Sequence, residues 1–235
     1  MDRRTLITLG AGAALASASG CMPRRDHLRF RFVLRLVVGS DVIEASSVRE
    51  DLPGFPSDGA PNFGWRGEAT IADVGSSRII AAMLDGYTTL NGYRQRSNAP
   101  WSPASVLMER KIQSMPRLPR GQVDWTGIRR PAFAELRAEL KRAPLRLSPD
   151  ELPVLVAFPT PSVPGSGMVV EPSAIPALFP DVRLGRCSVE LTSRPVQFGK
   201  ATAALPWIDD GPGRATSYTH PIKSTLVVNG DFQRR

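Results

Sequence analysis

The 235-residue chain reads as a single α+β domain, mainly antiparallel sheet with two amphipathic helices packed on it; an all-β sandwich is the alternative. Three observations lead there. Leu28–Val38 alternates apolar and polar side chains over its whole length, which is the period of a half-buried strand. Segments of strand type precede and follow a central stretch of helical periodicity, and runs of strands, then helices, then strands produce this layering. Proline- and glycine-rich breaks separate the elements, and no internal repeat is present.

Residues 1–20 read as an export signal. Arg3 and Arg4 supply a basic start, an Ala/Gly-rich apolar run follows, and Ala18-Ser19-Gly20 supplies the small residues that precede a cleavage point. Cys21 then resembles the acceptor of a bacterial lipobox, where a thiol is alkylated by a diacylglyceryl group before the signal is cut. Ala18 stands where lipoboxes usually carry leucine. Arg3-Arg4-Thr5-Leu6-Ile7 also resembles a twin-arginine export pattern, against the alternative of an ordinary secretory start. Residues 21–27 form a lipidated tether, and residues 28–235 the domain.

Within the domain, Leu28–Val38 places Leu28, Phe30, Phe32, Leu34 and Leu36 on one face and Arg29, Arg31 and Arg35 on the other. Gly39-Ser40-Asp41 turns the chain, and residues 42–50 return as an antiparallel partner. Residues 51–63, with three prolines and two glycines, read as a loop. Residues 64–74 and 78–84 form a second hairpin around Gly75-Ser76-Ser77, its second arm apolar on both faces and therefore central in its sheet. Residues 85–100 read as irregular. Ser102-Pro103 is a cap followed by proline at the first helical position, with Ala104, Met108, Ile112 and Met115 at helical spacing. A second helix runs from Pro131 to before Pro144, with Phe133, Leu136 and Leu140 on one side. Residues 152–158 form a buried strand, residues 159–167 a loop and residues 173–179 a helical turn. Residues 182–192 form a strand, and residues 224–232 a last one.

Thirty Lys plus Arg against 22 Asp plus Glu give a net charge of +8. Asp2, Arg3 and Arg4 contribute a net +1 of this, leaving +7 after removal of the signal. The excess is dispersed and almost all arginine, which suits a solvated basic surface or docking on an anionic envelope surface better than nucleic-acid binding. With Cys21 assigned to lipid, Cys187 lacks an intramolecular partner. A disulfide framework and a structural zinc site are thereby excluded. Cys187 lies in an alternating segment and is expected to be a small buried apolar group.

Several stretches together resemble a family of uncharacterised bacterial proteins, mostly proteobacterial and often carrying an export or lipoprotein signal. They are Ser46-Ser47-Val48, Arg66-Gly67-Glu68-Ala69, Leu152-Pro153-Val154-Leu155-Val156-Ala157-Phe158, Val170-Glu171-Pro172, and the run from Glu190-Leu191-Thr192 through Leu205-Pro206-Trp207. The resemblance covers most of the chain after the signal and implies an exported protein with no activity to transfer. Relatives of this kind tend to carry aspartates after the buried strand. Here that loop is Pro159-Thr160-Pro161-Ser162, so any ligand such acids hold is not expected.

No catalytic set is legible. The two histidines, His27 in the tether and His220 in a polar tail, stand apart from any nucleophile elbow. Among carboxylates, Glu68 and Asp73 are the weak candidates, because the pairs Asp150-Glu151 and Asp209-Asp210 diverge in loops. Glu68 alternates with Arg66 on one strand face, where an ion pair within the sheet is expected. Phosphate-loop and metal motifs are absent, and no cofactor is expected. The expectation is a non-enzymatic envelope lipoprotein, membrane-anchored and facing the periplasm. The alternatives are an exported hydrolase acting through Glu68 or Asp73, or a basic nucleic-acid-binding protein if the signal is false.

Overall fold

A computed structural model describes residues 27–52, 64–90, 93–115, 133–209, 215–219, 224–228 and 233–234. The export signal, Cys21, most of the expected loop at residues 51–63, Pro131 and His220 lie outside these residues.

The alternating segment forms β1 (Leu28–Val38). A turn at Gly39, whose φ of +60° suits a residue without a Cβ, returns the chain as β2 (Asp41–Leu52), paired with β1 from Leu28↔Asp51 to Val38↔Asp41. The expected strand over residues 64–74 is two strands. β3 (Gly64–Glu68) pairs with β2, whereas β4 (Thr70–Asp73), one residue later, joins a second sheet. Gly67 makes the departure possible: it has φ +147°, and a Cβ there would meet the Arg49 backbone and Cγ at 3.2–3.3 Å. β5 (Ile79–Ala82) completes the hairpin with β4 and pairs on its other side with the strand Leu155–Phe158, so it is central as expected.

Residues 85–100 are not irregular. They form the hairpin of β6 (Asp85–Leu90) and β7 (Tyr93–Pro100). The overlooked signal is Asn91-Gly92 between Tyr87-Thr88-Thr89-Leu90 and Tyr93, a two-residue hairpin signature flanked by strand formers. Helix α1 (Pro103–Ser114) starts as expected, with the Ser102 hydroxyl accepting from the Ser105 N–H. Its apolar stripe is used only at the start: Pro103, Ala104 and Val106 are buried, while Met108 and Ile112 are half-exposed. Helix α2 (Phe133–Arg142) buries Phe133, Leu136 and Leu140.

After α2 come β8 (Leu145–Leu147), β9 (Leu155–Phe158), β10 (Met168–Val169) and the short helix α3 (Ile175–Leu178). The expected strand over residues 182–192 is split into β11 (Val182–Leu184) and β12 (Cys187–Leu191), both paired with β1. The break falls at Gly185, whose N–H donates to the Arg35 carbonyl at 2.8 Å and where a Cβ would lie 3.0 Å from that oxygen. Helix α4 (Lys200–Ala204) precedes β13 (Ala215–Thr219), β14 (Ser224–Val228) and β15 (Gln233–Arg234).

The fold is α+β with antiparallel sheets. One sheet has the order β15-β3-β2-β1-β12-β8, with β11 also on β1; the second has the order β10-β9-β5-β4. The apolar face of β1 shares one core with Ala72, Ile80, Ala82, Leu155 and Ala157 of the second sheet and with both long helices. The opposite face of the second sheet, through Ile79, Ala81, Val156 and Phe158, packs on Ala201, Leu205 and Ile208. That second core explains why residues 79–83 are apolar on both faces.

Between the sheets lies a polar seam. Ser47 and Thr70 share a 2.6 Å hydroxyl contact, and Arg49, 3 % exposed, donates to the Ala82 carbonyl at 2.8 Å and to Ser47 at 3.3 Å. Its guanidinium lies 4.9 Å from the Phe32 ring and 5.8 Å from that of Trp101. Burial draws its pKa down to about 9, while Asp51 and Asp85 favour its charge. On the other side of the core, Arg78 holds Asp181 through two bonds of 2.6 and 2.7 Å, tying the β4–β5 turn to the approach to β11. The Arg78 partner holds the Asp181 pKa down to about 2.

Two outcomes follow. Arg49→Met keeps the volume but removes the donors to the Ala82 carbonyl and the Ser47 hydroxyl, and a buried acceptor left unsatisfied costs about 1–3 kcal/mol. Urea unfolding at pH 7 should show this loss as a lower midpoint. For Asp181, a folded pKa below the unfolded value means that stability is present above about pH 4 and is lost as pH falls towards 2. Asp181→Asn should therefore lower the thermal midpoint at pH 6 and converge with the parent near pH 2.

Candidate functional site

Glu68 ends β3 and is 1 % exposed. It does not pair with Arg66. One of its carboxylate oxygens accepts the N–H groups of Gly199, Lys200 and Ala201 at 3.0, 3.1 and 3.2 Å, capping α4 from across the chain. Arg66 instead faces Glu50 at 3.9 Å. The expected ion pair is thus replaced by a helix cap, because the turn at Gly199, with φ +110°, aims the first amides of α4 at this carboxylate. Asp73 sits exposed at the far end of β4 and accepts the Gly75 N–H at 2.9 Å, closing the turn. The structure does not bring the two acids together.

Cys187 is buried, 2 % exposed, and burial pushes its thiol pKa up, opposite to the shift a thiolate nucleophile requires. His27 approaches Glu50 at 3.6 Å, and its carbonyl accepts from Arg137. His27, Arg29, Arg137 and Ser193 border an open cleft of about 380 Å³ where the chain enters β1. Among the described residues, no group of three or more His, Cys, Asp or Glu side chains is placed to hold a metal ion.

A further polar feature is the outer face of the first sheet. Register places Arg29, Arg31 and Arg35 of β1 beside Glu50, Glu44 and Glu190 of its neighbours. Arg29 contacts Glu50 at 2.7 Å, Arg31 contacts Glu44 at 2.8 Å and Glu190 at 3.2 Å, and Arg35 contacts Glu44 at 2.8 Å. The Arg35 guanidinium, with Arg31, holds the Glu44 carboxyl below its ordinary range. Residues 192–200 cross this face, leaving a small cleft of about 80 Å³ bordered by Arg31, Ser46, Glu68, Arg194, Gln197 and Lys200. The face thus presents arginines interleaved with glutamates on a paired sheet.

The expected arginine face of β1 is present, while the glutamates that pair with it come from neighbouring strands, which alternation within β1 does not identify. Comparison with protein-family models, curated proteins and solved structures finds no match.

The cap assignment makes Glu68 a stability residue. Glu68→Ala leaves three amides without their acceptor and should cost about 1–3 kcal/mol in urea unfolding, whereas Glu68→Gln, which keeps a carbonyl oxygen, should lose less. Equal losses in the two variants would remove the cap from the account.

Proposed function

We propose that the chain is an exported envelope lipoprotein, anchored through acyl chains on Cys21 and facing the periplasm, whose domain does structural or binding work. The observation that carries this reading is the leader: Arg3 and Arg4, a short apolar run, then Ala18-Ser19-Gly20 before Cys21. In the alkylation the Cys21 sulfur would bond to the glyceryl carbon of a phospholipid, that carbon's C–O bond to phosphate breaking, so that a thioether forms and the phosphate headgroup leaves with the thiol proton. Two chains on one glycerol, at about 0.8 kcal/mol per buried CH₂, give stable attachment where a single chain gives only a marginal one. Export runs by the general secretory or the twin-arginine route. Among the described residues, no helix is long and apolar enough to cross a membrane.

The binding half of the reading is supported by the cationic sheet face. Against the hydrolase alternative stands the engagement of its two acids, Glu68 in three amide contacts and Asp73 in a turn. A general acid or base needs a proton position facing substrate. Interleaved carboxylates such as Glu44 and Glu190 weigh against nucleic acid as the partner.

Labelling with radioactive palmitate tests the anchor. Wild type and Cys187→Ser should incorporate label and fractionate with membranes; Cys21→Ser should incorporate none and keep its fold. Label that persists in Cys21→Ser, or is absent from wild type, would remove the lipoprotein reading and leave an ordinary secretory signal.

A further inference from the structure

We propose that the outer face of the first sheet docks on anionic phospholipid headgroups, so that the domain lies with this sheet against the bilayer. The choice of occupant rests on the anchored-lipoprotein reading. The face itself is argued from register and charge.

Residues directly opposite each other in an antiparallel pair share a face. Val37 faces Arg183, and Ser188, which faces Val33, also faces Arg146, so both arginines lie on the same side as Arg31 and Arg35. Arg194 and Lys200 join them from the segment that crosses this side. Arg146, Arg183, Arg194 and Lys200 are all exposed. In contrast to Arg29, Arg31 and Arg35, none of the four has a carboxylate within ion-pair distance among the described residues. The face therefore has two layers of charge. An inner ladder of arginine and glutamate neutralises itself, and a surplus of four cations stands outside it.

Two further observations favour a bilayer. The chain from Cys21 to Leu28 spans seven residue steps, at most about 25 Å when extended, so an anchored Cys21 keeps this end of the sheet within reach of the headgroups. At the other end of the same face, Val42, opposite Val37, is 66 % exposed and presents an apolar side chain to the interface. The inner face of the sheet is buried against the second sheet and the helices, so among the described residues the charged face is the outer one. Attraction of this kind acts within a Debye length, about 8 Å at physiological salt.

The test uses the full chain carrying Cys21→Ser, so that acylation is removed and the leader contributes equally to every sample. Its partitioning is measured on phosphatidylcholine vesicles with and without one-third phosphatidylglycerol. Arg146→Gln/Arg183→Gln/Arg194→Gln is compared with a control of equal charge, Lys111→Gln/Lys141→Gln/Arg142→Gln, whose cations are exposed elsewhere. Thermal melts confirm that all three proteins fold. Each cation near an anionic surface contributes about a factor of five, so the face variant should bind phosphatidylglycerol vesicles roughly 100-fold more weakly than its parent. The control should stay within a fewfold of the parent, and raising salt should erase the difference.

Equal binding of parent and face variant, or an equal loss in the control, overturns the proposal. Charge-dependent capture of a DNA duplex without charge-dependent vesicle binding would also overturn it and assign the face to nucleic acid. Palmitate labelling reports on Cys21 alone and vesicle partitioning on the sheet face alone. Failure of the anchor and failure of the docking face are therefore read separately.

Discussion

The buried guanidinium of Arg49 is the interaction on which the two-sheet arrangement depends. A charged group 3 % exposed is tolerated only when its surroundings replace water. Here the replacement comes from both layers: Ser47 on its own strand, Thr70 and the Ala82 carbonyl from the second sheet, and the ring faces of Phe32 and Trp101. The electrostatic attraction of Asp51 and Asp85 opposes the desolvation. A sheet shifted by one residue would turn Arg49 outward and bring Glu50 inward, so this side chain also selects the register. Specificity of this kind is obtained at some cost in stability, since an apolar core of equal volume carries no desolvation penalty.

From that constraint the two faces of the first sheet acquire different roles. With Phe30, Phe32 and Leu34 directed towards the seam, the alternate positions of β1 lie on the opposite face, and these are Arg29, Arg31 and Arg35 together with Val33 and Val37. The exposed pairs of Glu44 with Arg31 and Arg35 each contribute about 0–1 kcal/mol, whereas Glu50 is buried beneath Arg29. Their arrangement matters more than their energy. Pairing within the ladder prevents like-charge repulsion across neighbouring strands and leaves the surplus cations at the edges and on the crossing segment, where they are open to a partner.

The candidate residues show how far local reasoning reaches. Asp73, named only as a weak candidate carboxylate, closes the turn that follows β4. Glu68 was expected to pair with Arg66, but its partners lie more than 130 residues away at the start of α4. Nothing in the neighbourhood of Arg66-Gly67-Glu68-Ala69 indicates a helix terminus arriving from that distance. The only local trace is Gly67, which lets the chain leave one sheet for the other.

Sequence by itself determined the elements whose periodicity is long and whose ends carry their own chemistry. β1 follows from eleven residues of strict alternation, α2 from Phe133, Leu136 and Leu140 at helical spacing, and the start of α1 from Ser102-Pro103. The reason is that a single face of each element is buried, so the pattern is written along the chain itself. Tertiary structure alone decided where residues 64–74 and 182–192 break, because both breaks arise from close approach to a neighbouring strand, Arg49 beside Gly67 and Arg35 beside Gly185. It also decided that Arg146, Arg183, Arg194 and Lys200, scattered over more than fifty residues, share one side of one sheet. That grouping depends on long-range strand pairing, which periodicity within a strand does not encode.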